Sequence, residues 1–339
     1  MCSAQPLKNK RATLYDVAQL SGVSYQTVSR VINGSPHVAA KTRVRVLEAI
    51  STLNYQPNKA AQTLVTRRSF TLQLVTYGIG YYGPSQTLTG LERAARALGS
   101  RLIYSSLAGI ETDPVQGVVE SLSGHQVDGM VIIAPVSSQI YEELANVYRG
   151  LPLILIDAPS GSYLPSVVID QHLGSQIATQ HLIDLGHRQI AHISGPLFWN
   201  DARARRESWL DTMQANNLRP VGSVEGDWTA AGGYTAAQQL IGLPFTALVV
   251  ANDQMALGAI RALREHGLNV PDQISVVGFD DIPEAAYFDP PLTTIRQNFE
   301  ALGQQSVEYL VELINHPDTP IQQRVITPVL VERQSTRSL

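Results

Sequence analysis

Cysteine is nearly absent: Cys2 is the only one in 339 residues, which excludes an intrachain disulfide and any metal site built from several thiolates. Long apolar runs are missing too. Stretches such as "LPLILI" at 151–156 fall far short of the ~20 residues that a membrane-crossing helix needs. The opening "MCSAQPLKNKRATLYD" has no apolar segment of the kind a secretion signal requires, so a cytoplasmic protein without membrane contact is expected. Charged residues make up only 16% of the chain and apolar ones 44%, a balance that favours large buried cores over disorder. At roughly 100–200 residues per domain, the length suits two or three domains.

Catalytic signatures are scarce as well. The sequence has no G-x-x-x-x-G-K-[ST], no H-E-x-x-H and no G-x-S-x-G. His181, His187 and His192 lack metal-ligand spacing, and structural histidines are expected there. "GIGYYG" at 78–83 does match G-x-G-x-x-G after a strand-like run, but no acid follows at the distance a ribose contact needs. Tyr81, Tyr82 and Pro84 also crowd the turn, so a loop that shows tyrosines to a cleft is the better reading. No enzymatic activity, cofactor or metal is expected.

What is present is an asymmetry of charge. Residues 1–68 carry ten Lys/Arg against two acids, whereas the remainder carries 15 against 27. A basic head on an acidic body implies that the head alone meets a polyanion. Within that head, residues 14–21, a helix capped by Ser24, and about 40–53 read as three helices, with "SGV" at 21–23 as the turn between the first two. Val44, Leu47 and Ile50 are spaced for the inner face of the third. On a wheel at ~100° per residue, Tyr25, Gln26, Ser29, Arg30 and Asn33 share one arc, with Val28, Val31 and Ile32 opposite. The outward set suits base edges: Arg30 can donate twice to guanine and Gln26 can bond adenine bidentately. Thr13, Thr27, His37 and the basic side chains suit phosphates.

The stretch "TLYDVAQLSGVSYQTVSRVINGSPHVAAKTRVRVLEAISTLNYQPNKAAQTL" (13–64) resembles the DNA-binding head of the LacI/GalR family. The resemblance continues through "EGDW" (225–228), "VANDQMALGA" (250–259), "ISVVGFDD" (274–281) and "PPLTTIRQNF" (290–299), nearly the whole chain. It implies DNA contacts at Leu14, Tyr15, Ser24, Tyr25, Gln26, Thr27, Ser29, Arg30, Asn33, His37 and Thr42. It also implies a hinge helix near 58–65, with Asn58 and Ala61 beside a minor-groove wedge at Leu64. So short a helix is marginal alone, which suits a switch.

From residue 70 apolar strands alternate with amphipathic helices, for example at 85–98, 171–185, 229–241 and 253–267. Alternating β and α argues parallel sheets covered on both faces. The expected architecture is an all-α helix-turn-helix head (1–56), a hinge (57–69) and an α/β, periplasmic-binding-protein-like core (70–339). That core would hold two parallel-sheet subdomains, about 70–168 plus 299–324 and about 169–298 plus 325–336.

Asp157, Asn252–Asp253 and Asp280–Asp281 stand at strand ends, where such sheets bind ligands. By resemblance, the effector set is Pro84, Asp157, Arg205, Trp228, Asn252, Asp280, Gln297 and Phe299, and the effector a small sugar. Tyr77 and Tyr81 stand where the family's lactose-responsive member has smaller side chains, and these two join the set; Ile169 stands where that member has an aromatic, and all three changes reshape the pocket wall. A galactoside fits this pattern without being required by it. The terminal "LVERQSTRSL" has no leucine heptad of the kind that builds tetramers, so a homodimer on a pseudo-palindromic, double-stranded operator is expected. The expected function is transcriptional repression under sugar control. The rival from another class is a sugar-transport binding protein of the same core fold, which the basic head argues against.

Overall fold

The computed structural model describes residues 12–32, 35–55, 68–107, 126–133, 142–143, 146, 150–159 and 161–339. They belong to two compact units that divide after Ser69.

The first unit is a three-helix head. Helix α1 (Leu14–Ser21) begins with a capping box, in which the Thr13 N–H donates to Asp16 Oδ2 at 2.7 Å and Thr13 Oγ1 accepts from the Asp16 N–H at 3.4 Å. It ends at Gly22, whose φ of +64° suits a residue without Cβ; a Cβ there would also lie 3.0 Å from the Arg45 guanidinium. Helix α2 (Tyr25–Ile32) starts from Ser24, whose Oγ accepts from the Thr27 N–H at 3.2 Å. Helix α3 (Ala40–Thr52) closes the unit. Val17, Val28, Val31, Val46, Ala49 and Tyr55 form its core, and each fully buried valine contributes roughly 1.5–3 kcal/mol.

One expectation fails here. Val44 and Leu47 are 54% and 52% exposed, and the inner face of α3 runs through Val46, Ala49 and Leu53, with Ile50 alongside. On the helix wheel Val44 and Leu47 sit ~100° or more from Val46, so sharing Ile50 was not enough to place them inside.

The second unit carries two six-stranded sheets. The first has β1 (Thr71–Thr76), β2 (Arg101–Ser106), β3 (Gly129–Ile133), β4 (Leu153–Leu155), β5 (Ser166–Ile169) and β11 (Gln323–Ile326), ordered β11-β5-β4-β3-β1-β2 and parallel throughout. The second has β6 (Ile190–Ser194), β7 (Ser223–Glu225), β8 (Ala247–Val250), β9 (Ser275–Asp280), β10 (Thr293–Arg296) and β12 (Val329–Val331), ordered β12-β10-β9-β8-β6-β7, with only β12 antiparallel. Helices α4 (Tyr82–Ala97) and α9 (Phe299–Asn315) pack with the first sheet. Helices α5 (Gln171–Asp184), α6 (Asn200–Ala215), α7 (Ala230–Leu240) and α8 (Asp253–Glu265) pack with the second. Strands β1, β3 and β9 are buried at every position rather than alternating, the pattern of parallel strands.

The chain crosses between the sheets after Ile169, after Arg296 and after Ile326. Strands β5 and β11 thus extend one and two residues past the expected subdomain limits, because hydrogen bonding to sheet neighbours holds them to their ends. Helix α4 starts at Tyr82, three residues earlier than its periodicity suggests. Pro84 is tolerated in that first turn because its missing N–H would have had no partner within the helix. The glycine-rich stretch is therefore a helix entry as much as a loop.

Candidate ligand cavity and nucleic-acid interface

Helix α2 shows the expected polar edge. Tyr25, Gln26 and Arg30 are exposed, while Val28 and Val31 are buried. Tyr15 on α1 is 70% exposed and stacks on Tyr25, with ring centroids 5.6 Å apart, so two aromatic faces stand together beside Gln26. Ser24 and Thr27 share a hydroxyl hydrogen bond at 3.0 Å, Ser29 is half-buried and His37 is exposed. Leu14 and Thr42 are half-buried, Leu14 packing on the head's core. Two of the head's basic groups serve its own backbone: Arg43 donates to the Ser35 carbonyl at 2.5 Å, and Arg45 donates to the Ser21 carbonyl. Asn33, Asn58, Ala61 and Leu64 lie outside the described residues.

In the second unit a cavity of about 340 Å³ opens at the carboxyl ends of the parallel strands. Nine of the ten residues expected to bind an effector line it: Tyr81, Pro84, Asp157, Arg205, Trp228, Asn252, Asp280, Gln297 and Phe299. Ile169 also lines it. Tyr77 does not. Its ring packs against Trp199 at 5.6 Å and Phe198 at 6.3 Å, so it supports the wall from behind.

Arg205, one turn into α6, anchors a closed ring of side chains. Its Nε donates to Gln171 Oε1 at 2.9 Å, Gln171 Nε2 to Gln297 Oε1 at 2.9 Å, and Gln297 Nε2 to Asp280 Oδ1 at 2.6 Å. Asp280 Oδ1 stands 3.9 Å from Arg205 Nη1, which also donates to the Ala251 carbonyl. The guanidinium lies over Phe279 at 3.8 Å and near Trp228 at 5.6 Å. Such planar, multiply bonded packing is how a buried cation avoids an uncompensated charge. Burial pushes the Asp280 carboxyl up to about 6, against the downward pull of Arg205 and Gln297.

Other acids act as builders. Asp253 is fully buried, accepts from Thr294 Oγ1 at 2.6 Å and from the Ile282 N–H at 2.8 Å, and so fixes the loop that carries Asp280. Burial, with Asp280 adding to it, holds the Asp253 carboxyl well above the usual carboxylate range. Asp281 points away from the cavity, to Arg296 and Arg333, both at 2.6 Å. Asn252 caps α8 through Oδ1 and holds the Trp228 carbonyl with Nδ2 at 3.0 Å.

Backbone strain gathers here. Trp228 (φ +72°), Asp280 (+114°) and Asp281 (+56°) are half of the six non-glycine residues with positive φ among those described. Each costs about 1–3 kcal/mol, which a scaffold bears where function over-determines the geometry. Gly195 makes room for Trp228: a Cβ there would sit 2.2 Å from the indole ring.

Sequence reasoning missed Gln171, Trp199 and Asp201. Asp201 lies one helical turn before Arg205 on the same face, a spacing that could have flagged it. Asp157 and Asp201 face each other; burial raises both carboxyls above the usual range, and the Asp201 charge raises Asp157 further. The histidines are structural: His187 bonds Thr246 at 2.9 Å and Ser275 at 3.0 Å, and His192 stacks on Trp209 at 4.9 Å. Burial drives His192 down to about 3. Among the described residues no cluster of three or more metal-ligating side chains occurs.

Comparison with known proteins agrees over both units. Residues 13–58 match the model of bacterial regulatory proteins of the lacI family, and residues 179–336 that of a periplasmic binding protein-like domain. The chain is 38% identical over 330 residues to the lactose operon repressor of Escherichia coli (strain K12), spanning 96% of this chain and 91% of that protein. A crystal structure of the lac repressor dimer bound to operator and the anti-inducer ONPF superposes with a TM-score of 0.86 at 37% identity, covering 97% of this chain and all of that one. A complex of the transcriptional regulator CelR with cellobiose gives 0.72 at 30% identity, covering 96% of this chain and 100% of that one.

Proposed function

Since this chain belongs to the LacI family of bacterial regulatory proteins, we propose that it is a dimeric operator-binding repressor whose grip on DNA is set by a small sugar held in the core cavity. The observation that carries this reading is the Arg205–Gln171–Gln297–Asp280 ring lining the cavity. Planar amides, a guanidinium and a carboxylate in fixed register are the partners that neighbouring ring hydroxyls require. Trp228 and Phe299 add aromatic faces for the C–H side of a pyranose.

At the head, Arg30 and Gln26 read base edges, and Tyr25, stacked on Tyr15, covers a thymine methyl. Ser24, Thr27 and His37 set the register on phosphates. A two-fold dimer reads two half-sites one helical turn apart, so the operator is pseudo-palindromic. The chain carries no chemistry of its own in this account, and it acts in the cytoplasm, where its operator is. No helix among the described residues is long and apolar enough to cross a membrane.

The test is affinity for a palindromic lac-type operator and for a scrambled duplex at fixed salt, with and without lactose or cellobiose. Tight, sequence-dependent binding that one of these sugars alters supports the reading. Equal affinity for both duplexes contradicts its DNA half.

A further inference from the structure

A buried acid and a half-buried one meet inside the cavity without a basic partner of their own. Asp157 follows β4 of the first sheet, and Asp201 stands in the first turn of α6, which packs on the second. Asp157 is 4% exposed, and apart from Asp201 its carboxylate oxygens have no hydrogen-bond partner among the described residues. The nearby cations are committed elsewhere. Arg203 donates to the Leu197 carbonyl at 3.2 Å and to Asn200 Oδ1, and Arg205 is held by Gln171, the Ala251 carbonyl and Asp280.

Such an arrangement is a poor one for stability. Buried oxygens left unbonded cost free energy, and two neighbouring carboxylates repel. A buried acceptor left short of partners calls for an explanation, and inside a cavity a ligand that completes it is a direct one. Hydroxyl donors would complete this one, because each carboxylate can accept two. Tyr81 and Trp199, which meet edge to face at 6.3 Å, line the same cavity and add apolar surface for the ring that bears those hydroxyls. An anionic substituent would meet Asp157, Asp201 and Asp280, with Arg205 as the one cation among the lining residues.

We propose that Asp157 and Asp201, one from each half of the core, form a clasp that accepts adjacent hydroxyls of an uncharged sugar and rejects sugars bearing phosphate or carboxylate. This rests on the sugar-effector reading above and adds Asp201 to the contacts. A ring held between the two acids ties the two halves of the core together, so occupancy and closure of the cleft are one event.

The experiment is calorimetric titration of the full-length protein with lactose, cellobiose, methyl β-galactoside, galactose and ribose, and with galactose 6-phosphate, galacturonic acid and galactosamine. It is repeated on Asp201→Asn and Asp157→Asn, which keep side-chain shape, together with the thermal midpoint of each unliganded variant. At least one neutral sugar should bind, and the anionic sugars should bind about a hundredfold more weakly or not at all. Asp201→Asn should weaken the neutral sugar about tenfold or more, while its unliganded midpoint holds or rises. Unchanged sugar affinity in that variant, above all with a lowered midpoint, marks a structural pair and overturns the clasp while leaving the sugar reading intact. A sugar phosphate that binds as well as its neutral parent overturns it too, as does an amino sugar that binds more tightly than its parent, which would make the pair a cation site. If no sugar in the set binds, the clasp and the sugar reading fall together.

Discussion

Gln297 Nε2 donates to Asp280 Oδ1 at 2.6 Å, and through Gln171 it ties that carboxylate back to the guanidinium that faces it. The ring is preorganised, so a ligand that bonds to it has little side-chain ordering left to supply.

Replacing Arg205 by lysine keeps the charge but loses the fork and the stacking on Phe279. Sugar affinity should fall about a hundredfold, a loss of ~3 kcal/mol consistent with two charge-assisted hydrogen bonds. Operator binding without sugar should persist. Calorimetry and a gel-shift assay check the two halves.

The raised Asp280 carboxyl, about 6 against 3.8 for the ordinary group, makes a prediction about pH. A carboxyl whose folded pKa exceeds its unfolded value contributes stability that is fully present below the unfolded value and lost as pH rises through the folded one. Between about pH 6 and 4, wild type should therefore gain on Asp280→Asn as the solution is acidified, by on the order of 2–3 kcal/mol. Urea denaturation of both proteins across that window measures it. Parallel curves would contradict the assignment.

Gly195→Ala places a methyl group where the Trp228 ring now lies. Overpacking costs ~1–3 kcal/mol, and the indole must leave the cavity to relieve it. Sugar binding should be lost, and tryptophan emission should shift to the red.

At the head, Arg30→Ala should relax specificity at one base pair per half-site, at a cost of ~1–3 kcal/mol. A uniform loss on specific and random duplexes would assign Arg30 to phosphate instead. Competition gel shifts with single-base operator variants distinguish the two.

The helices of the head were legible because their signals are local: Thr13 with Asp16, Gly22, and Ser24 ahead of Thr27. The long parallel strands were legible as unbroken apolar runs. Strands β7, β10, β11 and β12, three or four residues each, are defined by their sheet neighbours rather than by a period of their own. Most of the cavity was legible through motif positions. Tyr77 packs behind Trp199, and sequence position cannot tell a lining ring from the ring behind it. Asp201 escaped notice because an acid in the first turn of a helix is ordinary, and only the fold brings it to Asp157.

The central claim is that cavity and operator are coupled, and coupling is reciprocal. The most direct measurement is the affinity of one neutral sugar for the free protein and for the protein saturated with operator. The account predicts that the two differ by at least about tenfold, ~1.4 kcal/mol, and that operator affinity changes by the same factor when the sugar is saturating. Equal sugar affinity in the two states would show a cavity that binds without switching, and would contradict it.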